Sequence, residues 1–439
     1  MTTLIIRNIS LLYGKDLVYI NKGFICINKN GIIIEAGSED TYFDKYKFTD
    51  TKLYDGTGFL VIPGFINSHT HIADSIGKDI SFSSTFDEMI HPVYGIKKKI
   101  LNKSIKEHLK YFIRTSAISM MIKGTISFVD FREGGPEGIE LLKDSIRDLP
   151  IKSVILGRVE QYFDLKKILE IKKQQTKEEN IDEKLVDKLQ KPSLESLSRV
   201  LELSDGLGLS GANENTDDAL KQYIHKVKEF NKKNNYLYHR KKIIAIHAAE
   251  SKSTIKFSKL LTGKTEVERI INFLKPDILI HMTHATLEDL TLALHNNIGI
   301  VLCPRSNGIL GNGIPDIVTM VKLGFKISIG TDNIMINSPD LLQELDYLWK
   351  VIKSHSSKYS NYIDPKELLK MITVNPGELF NLNSGSIDIG KYADILFIDK
   401  YHIDLQPIHN IYSSIIHRLS YGAIKAIMIN GRFINETPF

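Results

Sequence analysis

Two histidines separated by one residue, His69 and His71, follow an apolar run at residues 61–66 that is interrupted only by Pro63 and Gly64. In an extended segment, residues i and i+2 point to the same side of the strand, so both imidazoles can reach one metal ion. A pair with this spacing is also typical of two polar side chains on one strand face. The pair therefore becomes informative only where further metal ligands follow other strands.

Candidate partners follow three further apolar, β-branched runs, each at the point where the predicted strand ends. They are His247 after residues 243–246 with Glu250 three positions later, His281 after residues 278–280, and Asp332 after residues 325–331. Among 14 histidines, some follow strands by chance. The ordered series is more specific than any single histidine, because a (β/α)8 barrel places its catalytic groups at the carboxyl ends of its strands.

The order His-x-His, His-x-x-Glu, His, Asp resembles the amidohydrolase superfamily, and within it the branch of cytosine, guanine and S-adenosylhomocysteine deaminases. Members of this superfamily are metal-dependent hydrolases, so the resemblance implies an α/β fold, a (β/α)8 TIM barrel. It also implies a metal site, whose ligands are His69, His71, His247 and Asp332. The same resemblance implies that Glu250 and His281 act on the substrate.

Both ends of the chain carry short strand patterns broken by glycine and asparagine. The runs lie at residues 17–21, 24–27, 32–36, 394–399 and 424–431. Residues 385–395 resemble the segment with which members of the superfamily re-enter an accessory β-sandwich built from both chain ends. The prediction is a sandwich from residues 1–60 and 386–439, beside a barrel from residues 61–385.

Between the ends, strand-like runs alternate with helix-like stretches, as expected for a parallel barrel. Residues 126–130 and 151–158 are predicted as its second and third strands, and the Lys/Glu-rich residues 164–203 as covering helices. Residues 206–211 match the Gly-x-Gly-x-x-Gly nucleotide pattern, but no clear strand precedes them. They are interpreted instead as the fourth barrel strand, with small side chains facing a crowded interior.

A metal bound by three imidazoles and one carboxylate keeps a position for water and lowers the pKa of that water toward neutrality. Asp332 is then placed to touch the metal and to accept a proton from the water. By the resemblance, Glu250 protonates a ring nitrogen of the substrate. The simpler interpretation of Glu250 is a surface carboxylate at a helix start, where the helix dipole favours an acid.

The sixth-strand position has two candidates, since either His281 or His284 could end that strand. His281 is favoured because the apolar run stops there and residues 286–290 resemble the helix opening that the superfamily places five residues later. By resemblance, this histidine polarises the attacked group or orients the water.

Binuclear members of the superfamily usually carry a carboxylated lysine at the end of the fourth strand, and residues 201–213 contain no lysine. The expectation is therefore one divalent metal ion per chain, with Zn2+ ahead of Fe2+, both of which relatives use. This disfavours dihydroorotase-like and urease-like chemistry and favours the mononuclear aminohydrolases.

The sequence gives weaker signals for the residues that contact the substrate. Residues 303–307, Cys-Pro-Arg-Ser-Asn, resemble a seventh-strand segment that lies close to the substrate in these enzymes. Arg305 either pairs with an anionic or carbonyl-bearing substrate or is a structural arginine at the barrel rim. The other candidates for the pocket are Asn307, Asp130, Arg132 and His284. The chain's only tryptophan is Trp349, far from residues 87–88 where many adenosine-type deaminases have one, which disfavours adenosine-like substrates.

The composition argues against several other classes of protein. The net charge is only +5 and no basic patch is interleaved with aromatic residues, so no nucleic-acid partner is expected. No stretch of about 18 apolar residues predicts a membrane span. The distant Cys26 and Cys303 favour a reducing, cytoplasmic setting. The oligomeric state stays open, homo-oligomers included.

The sequence thus predicts a mononuclear metal-dependent hydrolase that deaminates a small nitrogen heterocycle, namely a purine, pyrimidine, pterin or adenosine derivative, with release of ammonia. The alternatives are ring-opening hydrolysis of a cyclic amidine or amide, and removal of chlorine by the same activated water, as in triazine hydrolase-like relatives. A scaffold without activity is a third alternative, and the complete metal set argues against it.

Overall fold

The computed structural model describes residues 2–41, 51–80, 84–92, 94–160, 193–233, 241–355 and 363–434. The strands, numbered along the chain, are β1 (Thr2–Tyr13), β2 (Val18–Asn28), β3 (Ile33–Ser38), β4 (Lys52–Asp55), β5 (Phe59–Pro63), β6 (Phe65–His71), β7 (Thr125–Arg132), β8 (Lys152–Gly157), β9 (Gly206–Leu209), β10 (Ile243–Ala248), β11 (Ile278–His281), β12 (Gly299–Leu302), β13 (Ile327–Ile329), β14 (Asp332–Asn333), β15 (Ile395–Asp399), β16 (Ile424–Ile429) and β17 (Arg432–Phe433).

Helices fill most of the connections between these strands. They are Glu39–Thr41, Ile72–Gly77, Phe86–Ile90, Ile96–Lys103, Lys106–Ile122, Gly135–Ile146, Leu194–Leu203, Asp217–Lys233, Lys252–Thr262, Glu266–Arg269, Ile270–Leu274, Leu287–His295, Pro304–Ile309, Ile317–Lys322, Leu341–His355, Pro365–Lys370, Val374–Leu379, Ile411–Arg418 and Tyr421–Ala423. Of the helices predicted over residues 164–203, the part at 164–192 lies outside the described residues, and the described part contains the helix Leu194–Leu203. No helix in the described ranges is both long enough and apolar enough to cross a membrane.

A parallel sheet carries the site. Among the described residues it has nine strands in the order β13-β12-β11-β10-β9-β8-β7-β6-β14, and every neighbouring pair is parallel. Its two end strands, β13 and β14, are separated in the chain only by Gly330 and Thr331. The sheet is therefore curled, with helices in the crossovers, and the predicted α/β class is confirmed.

A second sheet combines both ends of the chain. Within the described ranges its order is β17-β16-β15-β5-β1-β2-β3, and β4 also pairs with β1. Strand β5 is its last strand before the chain enters β6 of the parallel sheet, and β15 returns to pair antiparallel with β5. The strands predicted at residues 394–399 and 424–431 are therefore present as β15 and β16.

The N-terminal strands are longer than the sequence pattern suggests. Strand β2 runs through Gly23, which had separated two predicted strands. A Cβ at Gly23 would lie 2.1 Å from a Leu11 methyl and 2.6 Å from the Gly37 carbonyl oxygen. This glycine therefore marks a close approach between paired strands and not a turn, which explains why the pattern divided one strand into two.

The glycine-rich run at residues 206–211 begins with strand β9, between β8 and β10. A Cβ at Gly206 would lie 2.0 Å from the Ile243 carbonyl oxygen, and one at Gly208 would lie 2.9 Å from the Phe131 ring. These glycines permit close packing of strands inside the parallel sheet. The interpretation as a barrel-type strand is the one that this geometry supports, and a dinucleotide turn is absent at this position.

Replacing Gly206 with alanine should destabilise the fold, because the added Cβ meets main-chain atoms of β10 that cannot move independently. We expect a loss of about 1–3 kcal/mol in the free energy of unfolding, measured by denaturant titration. Gly37→Ala is the matched control, since its Cβ would meet only the Thr41 side-chain oxygen at 3.5 Å. Equal stability of the two variants would contradict the packing argument.

Candidate metal centre and active-site pocket

The carboxyl ends of the parallel strands bring four candidate metal ligands together. His69 and His71 lie at the end of β6, His247 lies near the end of β10, and Asp332 begins β14. All four side chains are buried. Their ligand atoms lie within 4.8 Å of one another, the grouping that the sequence predicts.

The distances between these atoms suit one divalent cation. His71 Nε2 lies 3.4 Å from His247 Nε2, and Asp332 Oδ1 lies 3.2 Å from His69 Nε2 and 3.5 Å from His71 Nε2. Metal–nitrogen bonds of about 2.0–2.1 Å in a tetrahedral site place neighbouring ligand atoms about 3.4 Å apart. Both ring nitrogens of His69 are buried and make no hydrogen bond within the described part of the chain. The residues present therefore fit a metal.

Polar contacts on the far side of two rings favour the nitrogen that faces this point. His247 Nδ1 lies 2.8 Å from the Leu209 carbonyl oxygen and donates to it. His71 Nδ1 lies 2.7 Å from the Glu133 carboxylate oxygen Oε1. With the proton on Nδ1 in each ring, the Nε2 lone pair is left for a cation.

Burial sets the charge states of these groups. It lowers the pKa of His71 to about 4 and lowers the pKa of His247 well below its usual range. Burial would raise the pKa of Asp332, but the neighbouring His69, His281 and His71 together outweigh this and hold that pKa well below the ordinary value. Neutral imidazoles and an ionised carboxylate are the states in which these residues bind a cation.

Glu250 and His281 lie beside the four ligands, with Glu250 Oε2 3.6 Å from His281 Nε2. His281 Nδ1 donates to Asn307 Oδ1 at 3.0 Å, and the Asn307 amide donates to Thr283 Oγ1 at 2.9 Å. Asn307 therefore orients His281 from behind. Burial, and next the charge of Asp332, raise the pKa of Glu250 well above its usual range and favour its protonated form.

His284 does not join this group. Strand β11 ends at His281, and the His284 ring lies beside Gly313, where a Cβ would be 3.7 Å away. The helix Leu287–His295 follows, capped by Thr286. Of the two candidates for the sixth-strand position, the structure thus brings His281 to the site.

Three other sequence candidates are engaged elsewhere. The Arg305 guanidinium donates to the Ser338 carbonyl at 3.2 Å and lies 3.6 Å from buried Glu344. Asp130 accepts hydrogen bonds from the Ile72 amide at 2.7 Å and the Thr70 hydroxyl at 2.9 Å, beneath the end of β6.

Arg132 donates through Nε to the Gly138 carbonyl at 2.9 Å. Like Asp130 and Arg305, it does not line the cavity over the ligands. The polar contacts of all three side chains are therefore with the protein itself, in positions that support the strand ends and the segments around them.

A partly open cavity lies over the candidate ligands. One wall is apolar and comes from the segment after β6, with Phe86, Ile90 and Pro92. The rest is polar and charged, and includes Lys97, Arg158, Glu214, Glu250 and Glu266. The arrangement can hold a small molecule that has an apolar side and a side rich in hydrogen-bonding groups.

Several residues in and around the site were missed by sequence reasoning. Glu133 directly follows β7, so its place after a strand was a usable signal. Lys97 lies on the helix Ile96–Lys103, and nothing in the local pattern points to it. Ser306 is part of the recognised 303–307 segment, and its hydroxyl donates to Asp332 Oδ2 at 2.6 Å.

Glu266 supports one wall of the cavity. Its two carboxylate oxygens accept from the Ala212 amide at 3.2 Å and the Ala249 amide at 3.0 Å, which ties the end of β9 to the end of β10. Burial, reinforced by the charge of Glu214, raises the pKa of Glu266 to about 7.

Comparison with known proteins agrees with this geometry. A provisionally named aminohydrolase of Methanothermobacter thermautotrophicus is 33% identical over 99% of this chain and 100% of its own length. The 5-methylthioadenosine/S-adenosylhomocysteine deaminase of Thermococcus sibiricus is 26% identical over 98% of this chain and 94% of its own. The crystal structure of a Xanthomonas campestris adenosine deaminase with bound zinc superimposes with a TM-score of 0.79 at 16% identity, covering 98% of this chain and 92% of that one, which shows the shared fold. Residues 60–434 match the amidohydrolase family, and the chain belongs to that family.

Proposed function

We propose that this protein hydrolyses an amino-substituted nitrogen heterocycle and releases ammonia. The observation that carries the proposal is the convergence of three imidazoles and one carboxylate on one point, with Glu250 and His281 directly beside it. The family membership and the names of the aminohydrolase and deaminase relatives support the reaction class.

His69, His71, His247 and Asp332 would hold one divalent ion, and we infer zinc. A bound ion of this kind lowers the pKa of water toward neutrality and so makes hydroxide available at neutral pH. The zinc named for the Xanthomonas campestris adenosine deaminase supports this choice of metal.

The protein's own side chains then move the protons. Glu250, protonated in its buried position, gives its proton to a ring nitrogen next to the carbon under attack, which makes that carbon more electrophilic. Asp332 accepts a proton from the attacking water while Ser306 holds its second oxygen. His281, oriented by Asn307, polarises the attacked centre or orients the water.

The balance of this reaction is simple. The carbon gains the oxygen of water and loses its exocyclic amine, which leaves as ammonia after receiving from Asp332 the proton that the water gave up. The proton left on the attacking oxygen returns to Glu250 as the carbonyl forms, so both carboxyl groups recover their starting states. The ring stays intact, because no bond within the ring is broken.

We also propose a domain division that matches this chemistry. Residues 61–385 would form a closed (β/α)8 barrel, and residues 1–60 with 386–439 the accessory β-sandwich. The adjacency of β13 and β14 in the chain supports closure of the barrel. The pairing of β5 with β15 supports a boundary close to Gly64.

The metal content should be about one tightly bound divalent ion per chain, because the four ligands form one site. Elemental analysis after gel filtration of zinc-loaded protein measures it. His247→Ala should lose the ion, and His295→Ala, at an exposed helix end, should keep it. Two tightly held ions per chain would contradict the single site.

The reaction class is tested by ammonia release. Purines, pyrimidines, pterins and adenosine derivatives, 5-methylthioadenosine and S-adenosylhomocysteine included, are supplied to zinc-loaded protein in an ammonia-coupled assay. At least one amino-substituted heterocycle should release ammonia, with Asp332→Ala as the blank. Activity confined to chlorinated triazines, cyclic amides or imidazolones, without ammonia, would overturn the deaminase proposal.

Glu250→Gln should keep the metal and the fold but lose activity by about 10²- to 10⁴-fold, as expected for removal of a general acid. Steady-state kinetics with elemental analysis of the same sample measure both properties. Glu268→Gln, a partly exposed glutamate outside the cavity, is the control. If Glu250→Gln released the metal and kept full activity, the role of Glu250 would be wrong.

A further inference from the structure

Glu133 contacts a predicted metal ligand from the side that faces away from the metal. Its carboxylate oxygen Oε1 lies 2.7 Å from His71 Nδ1 and 2.7 Å from Lys97 Nζ. All three side chains are buried, with 4% of His71, 7% of Lys97 and 6% of Glu133 exposed. Such a buried ion pair is costly to form unless each charge is held in place by further partners.

The partners are present. Lys97 Nζ also lies 3.6 Å from Asp74 Oδ2, and Asp74 in turn accepts hydrogen bonds from the Asn333 side chain at 2.7 Å and the Met335 amide at 3.0 Å. The chain of contacts thus joins the helix Ile96–Lys103 to the segments after β6, β7 and β14. Each of those three strands ends at or beside the candidate ligands.

At 2.7 Å, two unprotonated acceptor atoms would repel, so the contact with Glu133 favours the tautomer that carries the proton on His71 Nδ1. In this tautomer the Nε2 lone pair faces His247 Nε2 and Asp332 Oδ1. A carboxylate partner also makes the imidazole a stronger donor to a metal than a carbonyl partner does. His247 has only the Leu209 carbonyl in the same position.

We propose that Glu133 is a positioning residue for His71, and that Lys97 holds Glu133 in the geometry that this requires. Glu133 does not itself bind the metal, because it contacts the opposite nitrogen of the ring. The inference rests on the proposed function, since it needs His71 to be a metal ligand. It predicts that the charge of Glu133 controls how firmly the ion is held.

The experiment measures the rate at which zinc-loaded protein transfers its zinc to excess chromogenic chelator. Glu133→Ala should release zinc about 10- to 100-fold faster than the wild-type protein. Glu133→Gln keeps the shape and an acceptor oxygen but loses the charge, so it should release zinc faster than wild type by a smaller factor. Lys97→Met should change the rate in the same direction.

Asp394→Asn is the matched control, because Asp394 is also a buried carboxylate paired with a lysine, Lys152, outside the cavity. It should release zinc at the wild-type rate. A second measurement separates positioning from general support of the fold. The gain in Tm on zinc loading should shrink in Glu133→Gln, while the Tm of the metal-free protein stays near the wild-type value.

Kinetics on any substrate found in the panel should show kcat reduced and KM little changed in Glu133→Gln. Wild-type zinc release by both Glu133 variants would overturn the inference while leaving the proposed function intact. Wild-type protein that binds no zinc would overturn both. An equal loss of metal-free Tm in Glu133→Gln and Asp394→Asn, without faster zinc release, would assign Glu133 a structural role only.

Discussion

The close approach of the β13–β14 link to the end of β6 is the constraint on which the rest of the site depends. A Cβ at Gly330 would lie 2.5 Å from the His69 Cβ, so only glycine fits between the two segments. Asn67 then clamps the link, donating to Thr331 Oγ1 at 2.8 Å and accepting from the Thr331 amide at 3.1 Å. Asp332 pairs with Thr70 in the β14–β6 ladder and so reaches the two histidines of β6.

The site is built where the strands stop being regular. Ala249, His281 and Asp332 have φ values of 50°, 74° and 60°, a backbone region that costs such residues on the order of 1–3 kcal/mol each. These turns redirect the chain at the carboxyl ends of β10, β11 and β13, and hydrogen bonds hold them, such as that from the Ala249 amide to Glu266. The large buried core of the two sheets supplies the stability against which this strain is balanced.

The candidate residues could be located in the sequence because strand ends have a readable signature, an apolar β-branched run followed by a polar residue. Their assignment as metal ligands came from the resemblance to the amidohydrolase superfamily. The same signature located His281, since β11 stops there. It could not locate Lys97, because this residue lies on a helix and not at a strand end. Only the folded structure shows that the helix brings Lys97 to the site. The 303–307 segment shows the intermediate case: its position was recognisable, but the partners of Arg305 were not, because Glu344 lies 39 residues away.

The strands position the candidate ligands of this cavity, and the connecting segments form most of its walls. The candidate ligands lie on or next to rigid strands of the parallel sheet, whereas the walls come mainly from connections, with Phe86 and Pro92 on one side and Glu214 and Glu266 on the other. Substitutions in those connections can change which molecule fits the cavity without moving the candidate ligands. The reason is that the loops after the strands determine specificity, whereas the strands form the scaffold. The chemistry at the floor of the cavity is thus constrained by the β6–β14 pairing, and the identity of the substrate depends on the walls. Enzymes that share this fold can for that reason act on different molecules. In this chain, the charged residues of the cavity wall are the ones expected to determine substrate specificity.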